Sequence, residues 1–429
     1  MALRPPGQAV SRVRRPWAAL LLALLVLVPF PATATPRGIG SWVGAWGTSP
    51  TTVPASDTTS FEDQTLRQVV HLSVGGSTLR VRLSNEFGTE PLVVGEARVA
   101  RRSGTGSAIE PRTDRRLTFG GRASVTVAAG TPLLSDPVVL PVAADSDLVV
   151  SIYLPQRTAG RTVHAFPYQD GWVAAGNVTS SADITPTGAL GKWHFLTGVS
   201  VAGRGEAVVA LGDSITDGAE TTRNTNRRWP DQLARRFQQD RGLRHLGVVN
   251  QGISGNRLLH DPNPPAGTPA EGFAAHFGQA ALRRFDRDVL AQPGVGHVVV
   301  LLGVNDLGQA GSIAPPSEKV TAEDVIGGHR QLIARAHAQG VRIYGGTILP
   351  FKGDTFGFYS PENEAARQQV NQWIRTSGEY DGVIDFDRAM RDPADAERLR
   401  PAYDSGDHLH PNDAGMAAMA EAVPLRLFR

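Results

Sequence analysis

The sequence predicts an all-β sandwich or jelly roll over residues 41–199, followed by an α/β fold with a parallel sheet over residues 206–429. In the first part, apolar residues alternate with others in short runs such as 79–83, and this period of two is typical of half-buried strands. In the second part, short apolar runs alternate with helical stretches, a pattern typical of strands that helices cover on both faces. The length of 429 residues fits two domains.

Five apolar runs mark the strands of the predicted parallel sheet, namely 207–211, 246–249, 298–302, 342–348 and 383–386. Helices are predicted between and after them, over residues 230–239, 273–290, 323–338, 362–376 and 411–427. Pro230 and Pro411 stand at the start of two of these helices, where proline is favoured. The boundary between the β part and the α/β part is predicted at residues 201–205.

The N-terminal residues have the pattern of a secretory signal peptide. Four arginines, at positions 4, 12, 14 and 15, precede an uncharged apolar run over residues 18–30, and Ala32-Thr33-Ala34 matches a small-residue cleavage site. We therefore expect residues 1–34 to be removed by cleavage near Ala34 and the protein to be secreted. The apolar run is shorter than the ~20 residues of a spanning helix, so a retained membrane anchor is the less favoured alternative.

Charge and cysteine content exclude several functions. The chain has 43 basic and 41 acidic residues; the predicted signal peptide carries four arginines and no acidic residue, so the remainder has 39 basic against 41 acidic residues. This nearly neutral remainder indicates neither a nucleic acid nor an anionic membrane surface as partner. The chain contains no cysteine, which excludes cysteine nucleophiles, cysteine-ligated zinc and iron–sulfur clusters.

Four polar segments of the α/β part are expected at the carboxyl edge of the sheet, namely 212–214, 252–256, 303–306 and 407–410. Ser214 directly follows the first predicted strand and can lie near a helix N-terminus, whose N–H groups favour developing negative charge. Thr216 stands where the Gly-x-Ser-x-Gly elbow has its second glycine, which argues against the ordinary α/β-hydrolase fold. The alternative for Ser214 is a helix cap.

Asp407 and His410 have the spacing of an acid–base pair. A serine hydroxyl needs a base to accept its proton, and that base needs a carboxylate to hold its tautomer. Three residues apart in a tight turn, the Asp407 carboxylate can reach one ring nitrogen of His410 while the other faces Ser214. The alternative is a polar turn that only caps the last helix.

Gly255 and Asn305 are candidates for stabilising an oxyanion. Gly255 lacks a side chain, so its backbone N–H can approach a ligand closely. Asn305 can donate its side-chain amide from the loop after the third strand, and the Ser214 N–H is a third donor. Taken singly, Gly255 could be an ordinary turn glycine and Asn305 an ordinary hydrogen-bonding loop residue.

Together, these four segments resemble the four sequence blocks of the SGNH hydrolase family, also called GDSL esterases and lipases, and they occur in order. The resemblance covers about residues 206–429 and implies a flavodoxin-like three-layer α/β/α domain that hydrolyses acyl esters without a cofactor. It implies that Ser214 is the nucleophile, that His410 acts as general base and then acid, and that Asp407 orients His410. It also implies an oxyanion hole formed by Ser214, Gly255 and Asn305.

The substrate is less well defined by the sequence. The segments 212–218, 252–259 and 361–375 in combination are similar to those of the branch that contains xylanase-linked esterases, which implies short acyl groups, chiefly acetyl, on plant polysaccharides. A lipase or phospholipase acting on longer acyl chains is the main alternative. Arg257 and Phe351 are the candidate substrate-binding residues; the alternatives are a salt bridge for Arg257 and a packed surface loop for the segment that contains Phe351.

Two readings from other classes use the same chain. His408 and His410, with Asp404 and Asp407 close by, could bind zinc instead of serving a serine nucleophile. The protein could also be a carbohydrate-binding protein with an inactive hydrolase domain, because aromatic rings stack on sugar faces. The β part holds four tryptophans for such a role, at positions 42, 46, 172 and 193. Core packing is the commoner role for tryptophan in a β sandwich, and the oligomeric state stays open.

Overall fold

The computed structural model describes residues 41–429. The predicted signal peptide, residues 1–34, lies outside the described residues. Within residues 41–429, no helix combines the length and the apolar character needed to cross a bilayer.

The β part contains two large antiparallel sheets and three two-stranded sheets. Its strands are β1 (Trp42–Gly47), β2 (Ser60–Phe61), β3 (Gln64–Leu72), β4 (Gly76–Ser84), β5 (Leu92–Val94), β6 (Glu96–Arg101), β7 (Arg115–Arg116), β8 (Val125–Val127), β9 (Pro132–Leu134), β10 (Val138–Val142), β11 (Ser146–Leu154), β12 (Thr158–Ala159), β13 (Val163–His164), β14 (Gly171–Ala175), β15 (Gly188–Leu190), β16 (Trp193–His194) and β17 (Leu196–Ala202). One large sheet has the order β1-β17-β4-β10, with β9 also paired to β4, and the other has the order β15-β14-β3-β11-β6-β7. The two-stranded sheets pair β2 with β12, β5 with β8 and β13 with β16. Alternate residues of β4 and β11, such as Val81 and Val150, meet in one core, which confirms the predicted all-β part.

The α/β part contains one parallel five-stranded sheet in the order β19-β18-β20-β21-β22. Its strands are β18 (Ala207–Gly212), β19 (Gly247–Gly252), β20 (Val295–Leu301), β21 (Arg342–Gly346) and β22 (Gly382–Ile384). Its helices are α1 (Ser214–Asp217), α2 (Trp229–Gln239), α3 (Ala281–Phe285), α4 (Val304–Gly308), α5 (Ala322–Ala338), α6 (Pro361–Thr376), α7 (Phe386–Met390) and α8 (Asp413–Ala422). This is the flavodoxin-like strand order, and it confirms the predicted fold class.

Strand β18 shows why the sheet is covered on both faces. Val208 and Ala210 pack in a core shared with α2, α7 and α8, whereas Val209 and Leu211 pack in the core formed with α3, α5 and α6. Because side chains alternate across a strand, a continuous apolar run supplies both layers at once.

Two predicted helices are shorter in the structure than in the sequence-based prediction. The stretch 273–290 is not one helix: Gly278 has φ 67°, in the left-handed region, and separates a 3-10 turn (Ala274–Phe277) from α3. A π-helical turn then follows α3 over Asp286–Leu290. The last helix begins at Asp413 rather than residue 411 and ends at Ala422, because Pro424 lacks the N–H that would continue it.

The β part and the α/β part share a core across a close backbone contact between β1 and β19. A Cβ atom on Gly247 would lie 2.1 Å from the Gly44 carbonyl oxygen, and one on Gly44 would lie 2.6 Å from the Val249 side chain. The architecture changes in the short loop between β17 and β18. Residues 41–429 nevertheless belong to one compact unit.

The four tryptophans of the β part all have packing partners. Trp46 and Trp193 meet edge to face with ring centroids 4.9 Å apart. The guanidinium of Arg80 lies 4.3 Å from the centroid of the Trp42 ring, and that of Arg102 lies 5.9 Å from the Trp172 ring. Trp46 and Trp193 are buried, as in the core-packing alternative, whereas Trp42 and Trp172 are half-buried beside their arginines.

Candidate active site

Ser214 begins the single-turn helix α1 directly after β18. The Asp213 side chain caps this turn by accepting the Ile215 N–H at 3.0 Å. Gly218, with φ 107°, ends the turn, and its N–H donates to the Ser214 carbonyl oxygen at 2.9 Å. The cap and the glycine therefore hold Ser214 in one position at the carboxyl edge of the sheet.

Asp407, His410 and Ser214 form a continuous chain of hydrogen bonds. The distance from His410 Nδ1 to Asp407 Oδ2 is 2.6 Å, and that from His410 Nε2 to Ser214 Oγ is 2.8 Å. Asp407 Oδ1 also accepts the backbone N–H groups of Leu409 at 2.9 Å and His410 at 2.8 Å. Because the carboxylate only accepts, Nδ1 carries the proton and Nε2 is free to accept the Ser214 proton.

The charge of Asp407 is held by its surroundings. Burial disfavours the ionised carboxylate, but the hydrogen bond and the charge of His410, with the backbone N–H groups of Leu409 and His410, outweigh burial and hold the pKa of Asp407 well below its usual range. Asp407 therefore stays a carboxylate throughout the neutral pH range and can stabilise a protonated His410.

Gly255 occupies a turn after β19 that only glycine fits. The Asn256 N–H donates to the Ile253 carbonyl oxygen at 3.0 Å, and Gly255 has φ 78°, as the third residue of a type II turn requires. A Cβ atom at Gly255 would lie 2.3 Å from the Phe277 ring. Both the backbone conformation and the neighbouring ring thus exclude other residues.

Asn305 lies on α4, directly after β20, and is 3% exposed. Its Oδ1 accepts a hydrogen bond from Gln309 Nε2 at 3.0 Å. Its Nδ2 is buried and has no hydrogen-bond partner anywhere in residues 41–429. A buried donor without a partner is costly, and here it borders the same cavity as Ser214, Gly255 and His410.

Two buried carboxyl groups support the backbone below the site. Burial raises the pKa of Asp213 to about 7, although the Ile215 N–H favours its ionised form. Burial likewise raises the pKa of Asp306 to about 6, against hydrogen bonds from the N–H groups of Leu258 at 2.7 Å and Leu259 at 2.9 Å. Asp306 thereby joins α4 to the loop after β19.

Ser214 and His410 open onto a cavity of about 240 Å³. Most of its lining is aromatic or aliphatic, and that lining comprises Phe166, Tyr168, Ala219, Phe273, Phe277, Ile313, Phe356, Phe358 and Leu409. Polar groups in the lining are few, and apart from Glu220 they belong to the residues already described or lie beside them. The cavity can therefore accept an apolar group next to the serine.

One wall of the cavity comes from residues 349–359, the segment that contains the predicted substrate-binding residue Phe351. Asp354 Oδ1 accepts the N–H groups of Phe356 and Phe358, each at 2.9 Å, and Asp354 Oδ2 accepts the Tyr359 N–H at 2.7 Å. This single carboxylate folds the segment so that the rings of Phe356 and Phe358 both line the cavity.

Two exposed rings stand at the mouth of the cavity. Phe273 is 38% exposed and Phe356 is 44% exposed. Few other large apolar side chains in the described residues are as exposed. The Phe356 ring meets the His410 ring edge to face, with centroids 5.7 Å apart. The Thr355 N–H donates to the Asp407 carbonyl oxygen at 3.1 Å, so a backbone hydrogen bond joins the aromatic segment to the turn of His410.

The β part also contributes to the cavity. Phe166 and Tyr168, which follow β13, line it, and Tyr168 has φ 48°, which is strained for an aromatic residue. Close by, His164 Nε2 lies 2.9 Å from Asp217 Oδ1, while Asp217 Oδ2 accepts the Ser254 N–H at 2.9 Å and the Ser254 hydroxyl at 2.7 Å. The β part therefore supports the loop that carries Gly255.

Arg257 and Phe351, the predicted substrate-binding residues, do not line the cavity, which corrects that prediction. Arg257 is 3% exposed and forms a 2.6 Å ion pair with Glu318, the structural alternative for this residue. Phe351 is fully buried in the core. The aromatic segment does reach the cavity, but through Phe356 and Phe358, because its turn at Asp354 reverses the chain after Phe351.

Sequence reasoning missed Gln309, Asp217 and the β-part residues of the site. Gln309 stands four positions after Asn305, which is the spacing of neighbours on one helix face, so a local signal for it existed. Asp217 lies in the same segment as Ser214, but its partner His164 comes from the β part. For His164, Phe166 and Tyr168, periodicity showed strands and gave no sign of a site.

The zinc reading finds no support in the arrangement of its residues. His408 pairs with Asp404 at 2.5 Å, whereas His410 pairs with Asp407, so the two rings serve different carboxylates. In the part of the chain that the structure describes, no group of three or more histidine, cysteine, aspartate or glutamate side chains is arranged to hold a metal ion.

The α/β part is a flavodoxin-like sheet with a Ser–His–Asp chain of hydrogen bonds at its carboxyl edge. This is the side-chain arrangement of the serine hydrolase class. Residues 210–418 match the model of the GDSL-like lipase/acylhydrolase family. This part of the chain belongs to that family, and the protein is an ester hydrolase. None of the curated proteins compared with the chain matches it.

Three solved structures illustrate what the chain is similar to. A lipolytic protein of the G-D-S-L family from Desulfitobacterium hafniense, described as putative, has 21% identity over 50% of this chain and 96% of its own, with a TM-score of 0.35. A GDSL-like lipase from Bacteroides thetaiotaomicron has 18% identity over 52% and 88%, with a TM-score of 0.36. A catalytic mutant of the acetylxylan esterase Axe2 from Geobacillus stearothermophilus has 22% identity over 52% and 94%, with a TM-score of 0.38. Similarity at this level identifies no substrate for this chain.

Proposed function

We propose that the protein is a serine esterase in which Ser214 is the nucleophile, His410 the general base and acid, and Asp407 the group that orients His410. The observation that carries this proposal is the 2.8 Å contact between His410 Nε2 and Ser214 Oγ, with Asp407 on the opposite ring nitrogen. This contact lies within the range required for proton transfer from nucleophile to base.

The reaction proceeds in two halves. Ser214 Oγ attacks the ester carbonyl carbon while its proton passes to His410 Nε2, and the carbonyl oxygen becomes an oxyanion. The tetrahedral intermediate then breaks its bond to the alcohol oxygen, which takes the proton from His410 and leaves. Water attacks the acyl-enzyme in the same way: it loses a proton to His410, and collapse returns that proton to Ser214 and releases the acid.

The oxyanion accepts hydrogen bonds from the Ser214 N–H, the Gly255 N–H and Asn305 Nδ2 in this proposal. The unpartnered state of Asn305 Nδ2 supports its part, because an oxyanion supplies the acceptor that the described residues lack. The loss of one such donor typically costs ~2.7–4 kcal/mol of transition-state stabilisation.

We propose esters with an apolar acyl or alcohol group as substrates. The aromatic and aliphatic lining supports this choice, since hydroxyl-rich sugars need polar partners and the lining offers few of these. Acetylated polysaccharide, the substrate class favoured by the sequence resemblance, is the competing choice. A series of p-nitrophenyl esters from acetyl to dodecanoyl, run beside acetylated xylan, separates the two.

We further propose that the protein is secreted, on the strength of the signal-peptide pattern in residues 1–34. Expression of the full chain with a C-terminal tag tests this proposal. We expect the tagged protein in the medium or periplasm, with a new N-terminus close to Ala34. Full-length protein retained in the cytoplasm would contradict it.

The catalytic proposal is tested with Ser214→Ala and a fluorophosphonate probe. We expect the variant to lose at least about 10⁴-fold in kcat, since no other group can form the acyl-enzyme, and to resist the probe that labels the native protein. Thr221→Ser, near α1 but outside the hydrogen-bonded chain, is the control that keeps its activity. An active Ser214→Ala protein would refute the proposal.

A further inference from the structure

Gln309 makes two hydrogen bonds beside the proposed oxyanion hole, both through one nitrogen. Its Nε2 donates to the Gly255 carbonyl oxygen at 2.7 Å and to Asn305 Oδ1 at 3.0 Å. Gln309 is 2% exposed and borders the cavity. One buried side chain thus touches both residues that, besides Ser214, supply donors to the proposed oxyanion hole.

These two bonds determine which way the Asn305 amide faces. The Gly255 carbonyl oxygen is a backbone acceptor and cannot donate, so the end of the Gln309 amide that faces it must be the NH₂ group. The same NH₂ group then requires an acceptor from Asn305, which is Oδ1. Asn305 Nδ2 is consequently left as the buried donor without a partner among residues 41–429.

We propose that Gln309 is a positioning residue that presents the Asn305 Nδ2 donor to the oxyanion and holds the Gly255 turn beside it. This inference rests on the proposed function. Asn305 and Gln309 stand four residues apart at α4, so the helix sets their spacing, and the Gln309 N–H donates to the Asn305 carbonyl oxygen at 3.1 Å. The contact with Gly255 joins α4 to the loop after β19.

Without Gln309, the Asn305 amide can turn over and aim its oxygen at the developing negative charge. An oxygen in that place repels the oxyanion, whereas the neutral ester carbonyl in the ground state is much less affected. The loss therefore falls on the transition state, and kcat decreases while KM changes little.

The decisive variant is Gln309→Met, which keeps the volume but removes the donor. We expect kcat for a p-nitrophenyl ester to fall about 10- to 100-fold, less than or equal to the 10²–10³-fold loss typical of a deleted oxyanion donor, with KM within about threefold of the native value. An alkyl boronic acid, which forms a tetrahedral adduct with the serine, should bind more weakly by a similar factor. Gln292→Met, at a buried glutamine outside the cavity lining, is the matched control and should keep both values.

A double-mutant cycle with Asn305→Ala shows whether Gln309 acts through Asn305. We expect Gln309→Met to cost at least about threefold less in the Asn305→Ala background than in the native protein, because the amide it orients is gone. Equal costs in both backgrounds, or native kcat and boronic acid affinity in Gln309→Met, would overturn the inference.

Two further measurements keep the test interpretable. Gln309→Glu, of nearly the same size, places an acceptor against two acceptors and should also lower kcat with KM retained; it replaces Gln309→Met if thermal melting shows that the methionine variant does not fold. Ser214→Ala separates the two proposals: if it is active, the proposed function fails, whereas an inactive Ser214→Ala beside a fully active Gln309→Met rejects the role of Gln309 alone.

Discussion

At the scale of single residues, the Asp407 carboxylate determines the tautomer of His410. It accepts the Nδ1 proton at 2.6 Å and two backbone N–H groups of its own turn. Asp407→Asn would place an NH₂ group or a weaker acceptor against Nδ1. Protonation of the wrong ring nitrogen then leaves no base facing Ser214.

We therefore expect Asp407→Asn to lower kcat by about 10³- to 10⁴-fold, with little change in KM. Steady-state kinetics with a p-nitrophenyl ester measures this loss. The control is Asp413→Asn, which disturbs a carboxylate bonded to Thr222 and Arg227 and leaves the His410 pair intact. If Asp407→Asn kept more than a tenth of native kcat, the orienting role of Asp407 would be wrong.

At the scale of elements, one side chain makes three of the hydrogen bonds that shape the segment 349–359. Asp354 accepts three backbone N–H groups and thereby sets the positions of Phe356 and Phe358. These three N–H groups have Asp354 as their acceptor, so loss of its carboxylate leaves them without these bonds. The selectivity of the cavity for the acyl group should therefore depend on Asp354.

We expect Asp354→Ala to lower the ratio of kcat/KM for an octanoyl ester to that for an acetyl ester by about tenfold or more, because the aromatic wall loses its fixed place. Asp354→Asn retains one acceptor oxygen and should cause a smaller loss, which makes the pair a graded test. Phe356→Ala should reproduce much of the alanine effect. An unchanged ratio in Asp354→Ala would show that the segment does not select the substrate.

At the scale of the whole molecule, the packing of the β part against the α/β part depends on a contact between two glycines. A Cβ atom on Gly247 would lie 2.1 Å from the Gly44 carbonyl oxygen, which cannot move without shifting β1. We expect Gly247→Ala to lower the free energy of unfolding by about 1–3 kcal/mol. Urea denaturation measures the change.

Gly188→Ala is the matched control for Gly247→Ala, because a Cβ atom there meets no atom within 4 Å. It should leave stability within about 0.5 kcal/mol of the native value. Equal stability of Gly247→Ala and Gly188→Ala would mean that the two parts do not contact each other as closely as the structure shows.

His71 makes the stability of the molecule depend on pH. It lies between Asp145 at 3.0 Å and Asp147 at 2.7 Å, and Arg235 of α2 also pairs with Asp145. Burial lowers its pKa, but the hydrogen bonds to both carboxylates more than compensate and raise the pKa of His71 to about 9. Protonated His71 thus pairs with two carboxylates of the β part, one of which also pairs with Arg235 of the α/β part.

Because the pKa of His71 is higher in the folded protein than the ordinary 6.5, its stabilising contribution is complete below about pH 6.5 and is lost as the pH rises through about 9. We expect the free energy of unfolding to fall by on the order of 3 kcal/mol from this source between pH 6 and pH 10. His71→Gln should remove this part of the decrease, whereas His245→Gln, at an exposed position, should not. The same pH dependence in native protein and His71→Gln would contradict the prediction.

Much of the α/β part could be predicted from the sequence because its signals are local. An apolar run buried on both faces identifies a strand wherever it lies, and the ends of parallel strands share one edge. Ser214, Asp407 and His410 were found in this way, since their roles depend on strand ends and a three-residue spacing. The catalytic roles themselves stay predictions that Ser214→Ala and Asp407→Asn test.

The sequence by itself determined the fold class and the chemical groups at the rim of the sheet, because periodicity and short spacings follow from the backbone geometry of strands and turns. Only the tertiary structure decided that Phe356 rather than Phe351 lines the cavity, that Gln309 orients Asn305, and that Tyr168 of the β part joins the site. These choices depend on which distant segments pack together and which way each loop turns. The periodicity of a single segment encodes neither the packing of distant segments nor the direction in which a loop turns.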